Sequence, residues 1–479
     1  MRITLALAVA LLLGVVPTAT AQDARATLAA AATALGADTV KSLEFSGSGV
    51  HFALGQSPTP GQPWPRFNVK SFTRSVNYET ASLHDEIVRT QAENPPRGGG
   101  QQPVRGEQRQ SFFLAGDHAW NVMATAAVPA PITLADRRFQ LWSTPHGVLK
   151  AAAANHATVQ GRTIAFTLPG SMAVRASLDD RSLVERIEAV VPNPVLGDMP
   201  VEVTYADYKD FGGVQFPTRI RQSAGGFPTL DLTVTDVKPN APVDVQVPDA
   251  AQQAAAFYAK VATQMVADGV WYLTGGSHHS VVIEMKDHLI LVEAPLNDER
   301  ALAVLAEARG LVSGKPVRYV VNSHHHFDHA GGLRAVAAEG VTVITHESNR
   351  AFFERALAAP ATLQPDHMAK ASRKPVVEAV RDRRVLTDGA RTVEIHHIGG
   401  NSHADGLLMV YLPREKLLSE ADVFTPPAAG TPPPMPPSPF TLNFAENLKR
   451  LNLAVDRLLP IHGRIVPIAD LHATTGHAH

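Results

Sequence analysis

The 479-residue chain contains no cysteine. That absence excludes disulfides, thiolate nucleophiles, iron–sulfur clusters and cysteine-ligated zinc. Charge of one sign is also lacking: 43 Lys and Arg face 45 Asp and Glu, for a formal net charge of −2. Such a chain has no global basic field, so nucleic acid is not an expected partner. After the first residues, no apolar stretch approaches the ~20 residues that span a bilayer. What is present is ordinary for a folded protein, with 45% hydrophobic and 18% charged residues. The length is about three times the usual ~150 residues per domain, which predicts at least two domains. The one excess is histidine, with 21 copies. It directs attention to imidazole metal sites.

Residues 1–21 read as a secretory signal peptide. Arg2 gives a positive start, 5–16 is almost wholly apolar, and Ala19-Thr20-Ala21 forms a small-x-small cleavage site. The expected mature protein is exported, periplasmic or secreted, with no stable membrane insertion.

The remainder divides near residue 250. Residues 22–249 form a β-rich domain of short strands and turns, as in the alternating Val201-Glu202-Val203-Thr204-Tyr205. Helices are expected at 24–35 and around 138–154. The stretch 94–103, rich in Pro and Gly, reads as a mobile loop that buries nothing. No catalytic constellation stands out here; His51, His84, His118, His146 and His156 are scattered. Gly212-Gly213-Val214-Gln215-Phe216-Pro217-Thr218 resembles the curved sheets related to lipoprotein carriers. Residues 250–269 read as a helical linker. From 270 to 468 strands alternate with helices, the pattern of a layered α/β domain. Residues 469–479 read as a flexible tail containing His472, His477 and His479.

The strongest signal follows the strand at 317–321: Asn322-Ser323-His324-His325-His326-Phe327-Asp328-His329. Ligands gather at the carboxyl ends of strands in open α/β sheets. On an extended chain His324 and His326 project to one side and can share an ion. His325 points away and reads as surface or backing. Asp328 and His329 arrive as the chain turns into a helix and can face a second ion. Nitrogen and carboxylate donors suit zinc, with iron or manganese as alternatives. Three more strand ends carry ligand types: His403, Asp422 and His462.

His324-x-His326-x-Asp328-His329 followed by His403, Asp422 and His462 resembles the metallo-β-lactamase superfamily over about 270–468. The resemblance implies an αββα sandwich with a two-metal site between its sheets. His324, His326 and His403 would hold one metal, Asp328, His329 and His462 the second, and Asp422 would bridge them. Two zinc ions would lower the pKa of a shared water, giving a hydroxide that attacks an ester, thioester, lactone or amide-type small molecule. Asp328 and Asp422 are the catalytic candidates, orienting the water proton. Glu293 stands where the family usually has Asp and reads as backing a ligand. His278 and His279 sit on a loop that rims the site.

With no cysteine, the commonest zinc β-lactamases, which place Cys at the position of Asp422, are excluded. Asp there looks more like the thioester hydrolases, lactonases and phosphodiesterases. Lactam hydrolysis without a Cys ligand stays open. So do a single-iron oxidoreductase resembling persulfide dioxygenases and a carrier with a vestigial metal domain. The eight prolines of 424–440 predict a stiff loop near the metals.

Overall fold

The computed structural model describes residues 21–253 and 257–476. Residues 1–20 of the expected signal peptide lie outside the described residues, as do 254–256 and 477–479.

The N-terminal domain is built on one antiparallel sheet of 13 strands. Strand Ser42–Phe52 lies inside it, between Arg66–Asn77 and Phe227–Pro239. Hairpins step outward from there to both edges. Strand Gly197–Asp210 shows why it forms: Met199, Val201, Val203 and Tyr205 are buried while Asp198, Glu202 and Thr204 are half-exposed. That is the period of two set by a pleated backbone with one covered face. Three helices, Ala21–Leu35, Leu134–Trp142 and Pro145–Ala154, cover this face. Leu35, Phe139 and Leu149 join Leu43, Phe72, Val203 and Phe216 in a single core. The single helix expected around 138–154 is two helices. Pro145 has no N–H to continue a helix, and Thr144 caps the second one by accepting from Gly147 N. Arg74 and Asp85, both under 10% exposed, pair through two hydrogen bonds of 2.7 and 2.6 Å on neighbouring strands. Arg74 also reaches the carbonyl of Gln140, at the end of the covering helices.

The C-terminal domain has the expected four layers. A seven-stranded sheet and a six-stranded sheet face each other. Strand Leu289–Val292 is buried on both faces. Its Leu289 and Leu291 pack outward with Val304, Leu305, Val336 and Phe353 of the flanking helices. Its Ile290 and Val292 pack inward with Val393, Ile395, Val410 and Leu459 of the second sheet. Helices Pro439–Leu451 and Ile468–Thr475 cover the far side through Phe444, Leu448 and Leu471.

Two further segments differ from the sequence reading. The stretch 250–269 is not a helical linker. It holds only the short helix Asp249–Gln252 and then strand Ala262–Ala267, which opens the seven-stranded sheet. Residues 469–476 are not a loose tail either, because helix Ile468–Thr475 buries Leu471 and Thr474.

The two domains are packed together. The turn after strand Val184–Asn193 inserts Val195 beside Trp271, Leu333 and Phe353. Asp198 then accepts hydrogen bonds from Thr362 N and Leu363 N, while its own N–H donates to Pro360 O.

Candidate metal centre

Strand Val317–Val321 ends in the ligand-rich segment, and helix Phe327–Ala330 follows at once. The extended backbone turns His324 and His326 to one side. Their Nε2 and Nδ1 stand 2.9 Å apart. His403 Nε2 lies 3.3 Å from His324 Nε2 and 2.9 Å from Asp422 Oδ2. These four donors form one cluster. His403 is set by Asn401, which accepts from its N–H and is itself tied to helix Pro439–Leu451 through Asn443. Asp422 follows strand Leu417–Glu420 with φ of 64°, a left-handed conformation that Asp tolerates better than most residues.

The second cluster comprises His278, Asp328, His329 and His462. His462 Nε2 is 3.3 Å from His329 Nε2 and 2.9 Å from Asp422 Oδ1. His329 Nε2 is 3.1 Å from Asp422 Oδ2. Asp422 therefore touches both clusters. His278 Nε2 lies 3.3 Å from Asp328 Oδ2. The sequence reading put His278 on the rim; the structure buries it among the donors, at 6% exposed. Its neighbour His279 instead meets Gly463 O at 2.9 Å, holding the turn that carries His462. Glu293 is fully buried, with Oε2 3.4 Å from His329 Nδ1 and Oε1 accepting from Asn322.

These residues fit divalent cations. Two donors on one tetrahedral zinc stand about 3.3 Å apart, given zinc–nitrogen bonds near 2.0–2.1 Å. Most neighbouring donor pairs here lie at 2.9–3.5 Å. Ligands must also be deprotonated. Burial, then the neighbouring imidazoles, holds His324 and His326 well below the usual histidine range, so both are neutral. Burial alone would raise Asp422, but the imidazoles of His329 and His462 keep it far down and ionised. Burial would lower His329, yet Asp422, Asp328 and Glu293 raise it well above the ordinary value. Among the described residues, none of these three carboxylates pairs with Lys or Arg. Burial would also lower His462, but Asp422 raises it, so protons on His329 and His462 balance the carboxylates and are what a bound cation would displace.

Hydrogen bonds also assign the donor nitrogens. His326 Nε2 meets Ser57 O at 2.9 Å, which puts the proton there and frees Nδ1. His462 Nδ1 meets Ser277 O at 3.0 Å, which frees Nε2.

Other sequence expectations are sharpened or corrected at this site. Of the two readings of His325, backing holds and surface does not: it is 2% exposed, with Nε2 3.3 Å from Ser57 Oγ and its ring against Phe352. The stretch 94–103 does not hang free. Gly98 and Gly99 are buried, and Gly98 N donates to Ser402 O beside His403. The N-terminal domain is not silent, since Gln56 and Ser57 touch Asp328 and His326. The proline-rich segment is anchored too: Arg105 donates to the carbonyls of Met435 and Pro436, and Arg464 to Pro427 O at 3.0 Å.

Gly331 closes the ligand segment. A Cβ there would lie 1.9 Å from Leu296 O, and Leu296 N holds the carbonyl of Asp328 at 2.7 Å. Gly331→Ala should cost about 1–3 kcal/mol of stability, the usual penalty for overpacking. It should also lower metal occupancy, because the backbone that carries Asp328 must shift. Thermal melting with a metal count on the purified variant checks both. An unchanged melting temperature would contradict this account of the turn.

Residues 273–462 match the model of the metallo-beta-lactamase superfamily. The C-terminal domain is a metallo-β-lactamase-superfamily domain, joined to a large β-rich N-terminal domain. Similar solved structures include a metallo-beta-lactamase from Pontibacter korlensis, at 20% identity and a TM-score of 0.36, covering 45% of this chain and 98% of that one. One from Hirschia baltica shows 20% identity and a TM-score of 0.35, covering 45% and 96%. The FIM-1 enzyme from Pseudomonas aeruginosa, in its mono-zinc form, shows 16% identity and a TM-score of 0.35, covering 45% and 93%.

Proposed function

We propose that the protein is an exported dizinc hydrolase that opens an ester, thioester, lactone or amide-type bond of a small molecule. The observation that carries this reading is the pair of adjacent donor clusters joined by Asp422. Bound divalent ions supply Lewis acidity and a water of lowered pKa. The chain's own residues do the rest. Ser57 O and Ser277 O fix the tautomers of His326 and His462. Glu293 Oε2 faces His329 Nδ1 at 3.4 Å, where its charge favours a proton on that nitrogen and leaves Nε2 to the ion. Asp328 Oδ2 faces His278 and His329, where it would serve as a donor to the second ion.

Access is one-sided. The side chains of His324 and His329 have no exposure, while those of Asp328 and His462 are 34% and 22% exposed. A substrate therefore enters over Asp328 and His462. Two donor clusters favour a two-metal hydrolase over a single-iron oxidoreductase. A complete donor set likewise favours an enzyme over a vestigial site.

A hydrolysis screen of zinc-loaded protein tests the reading, with lactams, lactones, thioesters, phosphodiesters and sulfate esters as substrates. At least one class should be cleaved by the wild type and not by Asp422→Ala. Equal rates for the two proteins, or no turnover of any class, would count against it. Export predicts a mature chain that begins at Gln22, which an intact-mass measurement on the processed protein reads directly. A retained Met1 would refute the cleavage site.

A further inference from the structure

The C-terminal domain does not build the metal centre alone. We infer that Gln56, supplied by the N-terminal domain, is a positioning residue for the second metal site: it holds Asp328 Oδ1 and leaves Oδ2 to face the ion. This rests on the reading of Asp328 as a metal ligand.

Gln56 lies in the loop after strand Ser42–Phe52. Its Nε2 donates to Asp328 Oδ1 at 2.8 Å, across 272 residues of sequence. Its Oε1 accepts from Gly100 N at 2.9 Å, and its backbone O accepts from Gly99 N at 2.9 Å. Chemistry fixes the amide orientation, since a backbone N–H can only donate and a carboxylate can only accept. The loop that holds Gln56 is itself held. Arg89 Nη2 donates to Gly100 O at 2.6 Å and Arg89 Nε to Gln108 Oε1 at 2.7 Å. Arg89 is 2% exposed, and its guanidinium stands 3.9 Å over the ring of Phe67. A run of hydrogen bonds thus leads from the sheet to the carboxylate.

The other oxygen of Asp328 faces the donors: Oδ2 is 3.3 Å from His278 Nε2 and 3.8 Å from His329 Nε2. Carboxylate torsions are broad and two-fold, so an untethered group samples many orientations. A donor on Oδ1 selects one. Partners that orient ligands in this way commonly change metal affinity by about 10- to 100-fold when removed.

The loops fit the centre too closely for chance contact. A Cβ on Gly99 would stand 2.0 Å from Gln56 Oε1 and 3.0 Å from His326 Cε1. Gly55 has φ of 76°, and a Cβ there would stand 2.3 Å from Phe327 Cγ. Other hydrogen bonds join the same two domains without touching a donor. Thr59 Oγ1 donates to Asp405 Oδ2 at 2.5 Å, and Ser402 Oγ to Pro96 O at 3.1 Å. They provide the control for simple adhesion between domains.

The test is a Co²⁺ titration of the metal-free full-length protein, followed by absorption and native mass, with melting temperatures alongside. Wild type, Gln56→Ala, Gln56→Glu and Thr59→Val are compared. Gln56→Glu keeps an acceptor for Gly100 N but cannot donate to Asp328, which separates loop anchoring from positioning. Both Gln56 variants should bind the second ion about 10- to 100-fold more weakly and the first ion as wild type does. Thr59→Val should bind both ions normally. Wild-type affinity for the second ion in the Gln56 variants overturns the inference while the two-metal reading stands. So does an equal loss in Thr59→Val, or an equal loss at both sites. A wild type that binds fewer than two ions overturns the two-metal reading, and the inference with it.

Discussion

Replacing Asp422 with alanine should lower kcat/KM by ~10³-fold or more. A metal acting as Lewis acid contributes several kcal/mol to a developing charge, and each 1.36 kcal/mol is a factor of ten. Asp422 is the residue that touches both clusters, with Oδ1 on His462 and Oδ2 on His403, His324 and His329. Its loss should leave the first ion on three imidazoles and weaken the second. Alanine at a φ of 64° also costs about 1–2 kcal/mol in a left-handed conformation. Asp422→Asn removes this ambiguity, because Asn tolerates that conformation and keeps the shape while losing the charge. Activity and ion content should fall for both variants, and the melting temperature should fall more for Ala. If Asp422→Asn keeps full activity and two ions, the bridging role is wrong.

The largest expected effect on stability lies far from the metals. Asp85→Ala should destabilise the protein by about 3–5 kcal/mol, the range for stranding one partner of a buried ion pair. Arg74 would keep its charge in a site where it is 8% exposed, with the carbonyl of Gln140 at 3.4 Å and the weaker pull of Asp136 in place of its ion pair. Burial opposes that charge in the native protein, and the Asp85 carboxylate overcomes it and raises the Arg74 pKa. An Arg74→Met/Asp85→Leu double variant should regain most of the loss, because two apolar groups leave no charge unpaired. Denaturant midpoints for the single and double variants check this. A single variant as stable as the double would mean that the pair contributes little.

Legibility in the sequence followed separation along the chain. His324, His326, Asp328 and His329 were readable because a strand end brings near neighbours to one place. His403, Asp422 and His462 were readable because each follows an apolar strand, as strands Thr392–His397, Leu417–Glu420 and Arg457–Pro460 bear out. Gln56 and Ser57 carry no such sign. They reach the centre from some 270 residues away, through pairing that no local pattern encodes. The glycines at 98–100 look like solvent-exposed loop by composition. Close approach to Gln56, His326 and Phe67 requires the same residues for the opposite reason. The strand Ala262–Ala267 was missed because it is an edge strand with four exposed residues in succession, so it lacks a buried face to betray its period. For His325, alternation says only that it points away from His324, which leaves surface and backing both open. What lies on that side, Ser57 and Phe352, depends on the tertiary fold.

The most direct test of the two-metal account is a zinc titration of the metal-free full-length protein, counting ions by native mass while hydrolysis is followed in parallel. Two ions should bind per chain, with full activity reached only as the second binds. A single bound iron, no bound ion, or full activity with one ion would contradict it.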